Sequence, residues 1–142
     1  MSVELVTELA RRFGAGDRDG AFALLHPDFR IQQPVSLPHG GWHHGPDGMV
    51  RMGTLFAEHW DRTITAPRVL GDAAEVVQVT TQTWTARTTK RQATVDVVEL
   101  FGFADGLIAE IRVFQQDTHL LLATLDPDPL DPDQEDRRWT TG

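Results

Sequence analysis

Hydrophobic positions change their spacing about midway along the chain. Val3, Val6, Leu9, Ala10 and Phe13 recur at helical spacing, with Glu and Arg between them. They predict an amphipathic first helix that stops at "GAG". Asp17 is suited to cap a short second helix through "RDGAFALL", which Pro27 ends. "DFRIQQP" predicts a first strand closed by Pro34. Pro46 suits the first position of a third helix, whose broad face carries Met49, Met52, Leu55, Phe56, His59 and Trp60. From Thr63 the period changes. "TITAPRVL", "AEVVQVTTQTWTAR", "RQATVDVVELFGF" and "LIAEIRVFQQ" are rich in β-branched residues and separated by "GD" and "DG" turns. "DTHLLLATL" predicts a closing helical turn. Helices first and one mainly antiparallel sheet last make an α+β fold, with helices laid on one face of a curved sheet.

The totals narrow the functional classes. The chain has 142 residues and no cysteine, which allows one domain and excludes disulfides and thiolate chemistry. No run approaches a membrane span, and "MSVELVTELARRF" does not resemble a signal peptide, so a cytoplasmic location is expected. The formal net charge is −8, and the six acids and two arginines from Asp126 to Gly142 supply half of it. That balance argues against nucleic-acid binding. Residues 126–142 are expected to form an acidic, proline-rich tail beyond a domain of residues 1–125.

"FGAGDRDGAFALLHPDF", "SLPHGGWHHGPDGM" and "LFGFADGLIAEIRVFQQDTHLLLATL" resemble the SnoaL-like branch of the nuclear transport factor 2-like superfamily. The resemblance implies a cone-shaped α+β barrel around a pocket, often dimeric through its sheet. Its relatives include steroid isomerases, polyketide cyclases, epoxide hydrolases, dehydratases and non-catalytic binding proteins, so fold alone does not choose among them.

The stretch "SLPHGGWHHG" has three readings: a glycine-hinged cap, a pocket-lining or proton-transferring His39, or a metal site of His39, His43 and His44. An extended "HH" points its two rings to opposite sides, and no further ligand stands at helical spacing, so no metal is expected. No cofactor is expected either.

The strand "RQATVDVVELFGF" places Val95, Val97, Glu99, Phe101 and Phe103 on one face. A two-residue turn at Asp105-Gly106 pairs Ala104 with Leu107 and, counting back, Glu99 with Arg112. This reads as an ordinary cross-strand ion pair or as a pocket acid tuned in opposite directions by burial and by Arg112. The resemblance places Glu99 at the steroid isomerases' oxyanion-binding acid. It puts that mechanism's base at Gln33 and its tyrosine at Leu9, neither of which can serve. The epoxide hydrolase positions fall on Thr80, Gln82 and Phe114, which cannot serve either. The single acid/base group of polyketide cyclases leaves Asp96, Asp117, His39 and His59.

Glu99, Arg112 and His39 are therefore the expected catalytic residues. Gln33, Trp42, Phe56, His59, Gln82, Trp84, Phe114 and Gln116 are the expected lining. The expected partners are a small hydrophobic, ring-containing metabolite and a second copy of the chain. The alternatives are a non-catalytic binding module with the same pocket and a dimeric interaction domain.

Overall fold

Val6 and Leu9 are buried on the inner side of helix α1 (Ser2–Gly14). The computed structural model describes residues 2–127. Helix α1 packs against strands β4 (Arg68–Gly71), β5 (Glu75–Ala86) and β7 (Leu107–Gln115). Asp17 accepts a hydrogen bond from Gly20 N at 2.9 Å and so caps the short α2 (Arg18–Phe22), as its position predicts.

The sheet runs β2 (Gly41–His44), β1 (Leu25–Gln33), β7, β6 (Gln92–Ala104), β5, β3 (Trp60–Ile64), with β4 also paired to β5. All neighbours are antiparallel except β1 and β7. The sheet curls strongly into a half-barrel, and the N-terminal helices lie with it. Helix α3 (Gly45–Ala57) packs on β1, β2 and β3 and carries Pro in its first turn. Helix α4 (Thr118–Ala123) has Asp117 as N-cap, accepting from Leu120 N at 3.0 Å. It is tied to β3 through Thr124, whose Oγ1 accepts from Trp60 Nε1 at 2.8 Å.

Strand β5 shows the alternation most plainly. Val76, Gln78, Thr80, Gln82, Trp84 and Ala86 are all buried, and the residues between them are not. Phe29 and Ile31 of β1, Val95, Val97 and Phe101 of β6, and Ile111 and Val113 of β7 complete the inner face.

Four expectations are corrected. Strand β1 begins at Leu25, so Pro27 lies inside it; the register with β7 is irregular between Leu25 and Arg30, where a missing N–H costs no ladder bond. Gly41–His44 form a strand, where the sequence suggested only a loop. Helix α3 ends at Ala57, so His59 lies past it and Trp60 opens β3. The fourth correction concerns the β6–β7 register. Asp105 and Gly106, with φ of 53° and 75°, form the expected two-residue turn. Ala104 pairs with Leu107 as expected, but an irregularity between Gly102 and Phe103 then slips the ladder by one residue. Of the expected tail only Asp126 and Pro127 are described; residues 128–142 lie outside the described residues.

Gly48 marks the closest approach of α3 to β2: an added Cβ would stand 2.9 Å from the His43 carbonyl carbon. We predict that Gly48→Ala lowers stability by about 1–3 kcal/mol through overpacking, measured by urea unfolding. A neutral result would mean that α3 can move away from β2.

Candidate functional site

The loop from Pro34 to Gly40 is folded tightly by its own backbone. Leu37 N donates to Pro34 O at 3.1 Å, and Gly40 N donates to Leu37 O at 2.9 Å. Gly40 has no room for a side chain, because a Cβ there would lie 2.4 Å from Pro34 O. This fold drives His39 inward until it is 3% exposed. His43, buried on the inner side of β2, bonds through Nε2 to His39 O at 2.8 Å. A carbonyl accepts only, so His43 Nε2 carries the proton and Nδ1 faces Arg51 Nη2 at 3.4 Å. His44 is exposed on the opposite side. Among the described residues, no three of the His, Asp and Glu side chains gather as a metal-holding group.

The His39 ring sits in an aromatic cluster built from three elements. Its centroid lies 5.4 Å from Phe56 of α3, 6.1 Å from Trp60 of β3 and 5.7 Å from Trp84 of β5. Phe56 meets Trp84 edge-on at 4.8 Å, and Trp60 lies 5.1 Å from Trp84. His59 flanks this group, 5.5 Å from Trp60. Burial among these rings is the main reason that the His39 pKa is pushed down to about 4; Arg62, His43 and His59 add to the effect. His39 is neutral at pH 7.

Trp84 Nε1 donates to Gln82 Oε1 at 2.9 Å, and Gln82 Nε2 donates to Thr80 Oγ1 at 3.0 Å. These bonds make a short polar track down β5 from the aromatic cluster. The next inward residue is Gln78, opposite Glu99 in the β5–β6 register. Gln78 Nε2 donates to Glu99 Oε1 at 3.2 Å. Burial raises the Glu99 pKa above the ordinary carboxylate value, opposed first by the Gln78 hydrogen bond and then by the charge of Arg62. Arg62 shares the inner face of β3 with Trp60, and its guanidinium carbon lies 4.8 Å from the Phe56 ring centroid. Packing lowers its proton affinity and Glu99 restores part of it. The residue still reaches solvent, and an arginine guanidinium stays charged.

Six of the eleven expected residues therefore share the inner side, Gln33, His39, Phe56, Gln82, Trp84 and Glu99, and His59 flanks them beside Trp60. Four do not. The slipped ladder places Glu99 opposite Val113, and Arg112 opposite Leu100. Arg112 points to the outer face, with its guanidinium 5.3 Å from the ring of Phe114, which is 46% exposed. The expected Glu99–Arg112 pair does not form, because one residue of slip exchanges the two faces. Trp42 also lies outside, under the Arg30 guanidinium at 4.2 Å. Gln116 is exposed and accepts from the Asp96 backbone N at 2.9 Å. The sequence reading missed Gln78 and Arg62. The alternation of "VVQVTTQTW" and of "WDRTI" carries both, but the helical period of α3 runs on over Trp60 and masks the second.

A model of the SnoaL-like domain matches residues 6–111. The chain belongs to the SnoaL-like domain family. No curated protein matches it. A nuclear transport factor 2-like protein of Burkholderia thailandensis is similar in structure, with a TM-score of 0.81, 20% identity, and coverage of 88% of this chain and 97% of that one. A counterpart from Burkholderia xenovorans has a TM-score of 0.78 and 22% identity, over 87% of this chain and 95% of that one. TerC, crystallised with polyporic acid, has a TM-score of 0.76 and 20% identity, over 87% of this chain and 96% of that one. At these identities the likeness extends to the fold alone. No helix among the described residues of this SnoaL-like domain is long and apolar enough to cross a membrane.

The depressed His39 pKa has a signed consequence. Between the ordinary value of 6.5 and about 4, the unfolded chain binds the proton and the native chain does not. Stability therefore falls as pH drops through that window. We predict that His39→Phe gains about 2–3 kcal/mol relative to wild type between pH 7 and pH 4.5, measured by urea unfolding at both values. An unchanged difference would place the His39 proton elsewhere.

Proposed function

We propose that this SnoaL-like domain takes a small, uncharged, ring-containing metabolite into the half-barrel and acts on it by acid/base chemistry through Glu99. One observation carries the reading: a carboxylate on a face of Val95, Val97 and Phe101, raised in pKa by burial and bonded to an amide rather than a cation. A carboxyl with a raised pKa transfers protons nearer to neutral pH. The rings of Phe56, Trp60 and Trp84 suit an apolar body, and Gln33, Gln78 and Gln82 suit its polar anchors. Neutral His39 is placed to assist as a hydrogen-bonding group rather than as a cation. Support also comes from structural neighbours: TerC was crystallised with polyporic acid, and a protein of Xanthomonas campestris at a TM-score of 0.72 and 15% identity is described as a candidate polyketide cyclase.

A second reading, a binding module without turnover, is favoured by the partner of Glu99. Gln78 cannot exchange a proton with it at neutral pH, so any second proton carrier must come from the ligand or from water. For the outer face we propose a second copy of the chain as its cover, because Phe114 and Val98 are 46% and 36% exposed on adjacent strands.

Two measurements test these readings. The first incubates 1,3-dihydroxynaphthalene, a ring enol, in heavy water and follows ring C–H exchange by NMR. Wild type should accelerate exchange, and Glu99→Gln should lose about 10²–10⁴-fold of that acceleration while keeping the fold. The variant should also escape the stability loss expected of wild type above the ordinary carboxylate range, where the native carboxyl still holds a proton that the unfolded chain has released. Binding without exchange would select the non-catalytic reading. The second compares wild type with Phe114→Glu by sedimentation. Wild type should be a dimer and the variant a monomer; a monomeric wild type would remove the outer-face proposal.

A further inference from the structure

Gln78 and Glu99 stand directly opposite each other in the β5–β6 ladder, on the inner face. Opposite residues of antiparallel strands carry Cβ atoms about 4.5–5.5 Å apart. The two side chains are of one length, so the amide head of Gln78 lies beside the carboxyl head of Glu99. One bond between the heads is made: Gln78 Nε2 donates to Glu99 Oε1 at 3.2 Å. The other two head atoms are Gln78 Oε1 and Glu99 Oε2. Gln78 Oε1 is buried with no hydrogen-bond partner among the described residues.

A buried carbonyl oxygen without a donor is costly, and its neighbours do not supply one. Val69 of β4 pairs with Gln78 on the side away from Glu99, and Val76 is the inward residue before it. Thr80, the inward residue after it, is bonded to Gln82 rather than to Gln78. Around Glu99, Val97 and Phe101 flank it on β6 and Val113 faces it from β7. Helix α1, which packs on β4, β5 and β7, buries Val6 and Leu9. Among the described residues, the charge that acts on Glu99 is that of Arg62 on β3. The polar head that touches Gln78 is therefore Glu99, and Glu99 can become a donor.

A carboxylate only accepts, whereas a carboxylic acid accepts through one oxygen and donates through the other. Ionised Glu99 takes the Gln78 N–H and has no proton to offer Gln78 Oε1. Neutral Glu99 keeps that bond at Oε1 and brings a hydroxyl at Oε2 beside the open carbonyl. In that state the two heads are complementary at both positions.

We infer that Gln78 is a positioning residue that holds Glu99 in both of its states, the carboxylate by one bond and the neutral acid by a closed two-bond pair in which Glu99 Oε2–H donates to Gln78 Oε1. The inference deepens the acid/base reading above and rests on it for its role in turnover. When Glu99 takes a proton from a ligand, the new O–H bond forms at Oε2 and the ligand keeps the electron pair. Gln78 Oε1 then accepts from that hydroxyl, and return of the proton reopens the pair. Gln78 itself neither gains nor loses a proton. Burial already favours neutral Glu99, and the second bond acts in the same direction.

The test compares crystal structures of the full chain grown at about pH 4.5 and about pH 9. Glu99 is mostly protonated at the first, because its pKa stands above the ordinary value of 4.5. Two contacts within about 3.2 Å should join the heads in acid, and one in alkali. The count holds even where amide oxygen and nitrogen look alike. The same number of contacts at both pH values overturns the inference. In solution, a double-mutant cycle of Gln78→Leu and Glu99→Leu is measured by urea unfolding at the same two pH values. The pair predicts coupling about as large in acid as in alkali, because a bond to a charged acceptor is roughly twice as strong as a neutral one and two neutral bonds replace it. Coupling that falls to about half or less in acid overturns it, since one neutral bond would then be all that remains. Neither measurement uses turnover. Loss of the acid/base reading in the ring-exchange assay would leave the pair standing, and loss of the pair here would leave that reading standing.

Discussion

The two-residue alternation of β5 is the constraint on which the rest of the site depends. Its twelve residues pair with β6 along one edge and with β3 and β4 along the other. Every second side chain is committed to the inside of the half-barrel, and burial there forces each polar one to find a partner. The inward set is apolar at its ends and polar between, from Val76 through Gln78, Thr80 and Gln82 to Trp84 and Ala86. One strand thus supplies the aromatic wall, the polar track and the amide that holds Glu99.

The histidine-rich loop is placed by the same edge of the structure. Strand β2 pairs with β1, and that pairing sends His43 inward and His44 outward. His43 then fixes the carbonyl of His39, whose ring completes the cluster of Phe56, Trp60 and Trp84. Among the described residues its histidines do not gather as a metal-holding group. The loop delivers one neutral imidazole into an apolar wall, and the glycine at position 40 is what lets the chain turn tightly enough to do so.

The electrostatics follow from which charges are left inside. Burial acts on His39 and Glu99 in opposite senses, lowering one pKa and raising the other, so both tend toward the neutral form. Arg62 is the cation that influences both. It lies against Phe56 and remains partly in solvent, so it moderates Glu99 without neutralising it. The result is an inner side on which the neutral forms of both His39 and Glu99 are favoured.

The amino-acid pattern alone determined the helices-then-sheet order apart from β2, the Asp17 cap, the Asp105-Gly106 turn and the inward face of β6. Each depends on neighbours in sequence, whose spacing or backbone preference is visible in the chain itself. The tertiary structure decided the partners. A one-residue slip near Gly102 separated Glu99 from Arg112 and put Arg112, with Phe114, on the outer face. No local pattern announces such a slip, because Gly102 and Phe103 fit either register until the two faces are packed. Trp60 and Arg62 were hidden for a related reason. The helical period of α3 runs on past its end, and only the pairing of Trp60 with Ala86 and of Arg62 with Trp84 shows that the chain has already entered the sheet.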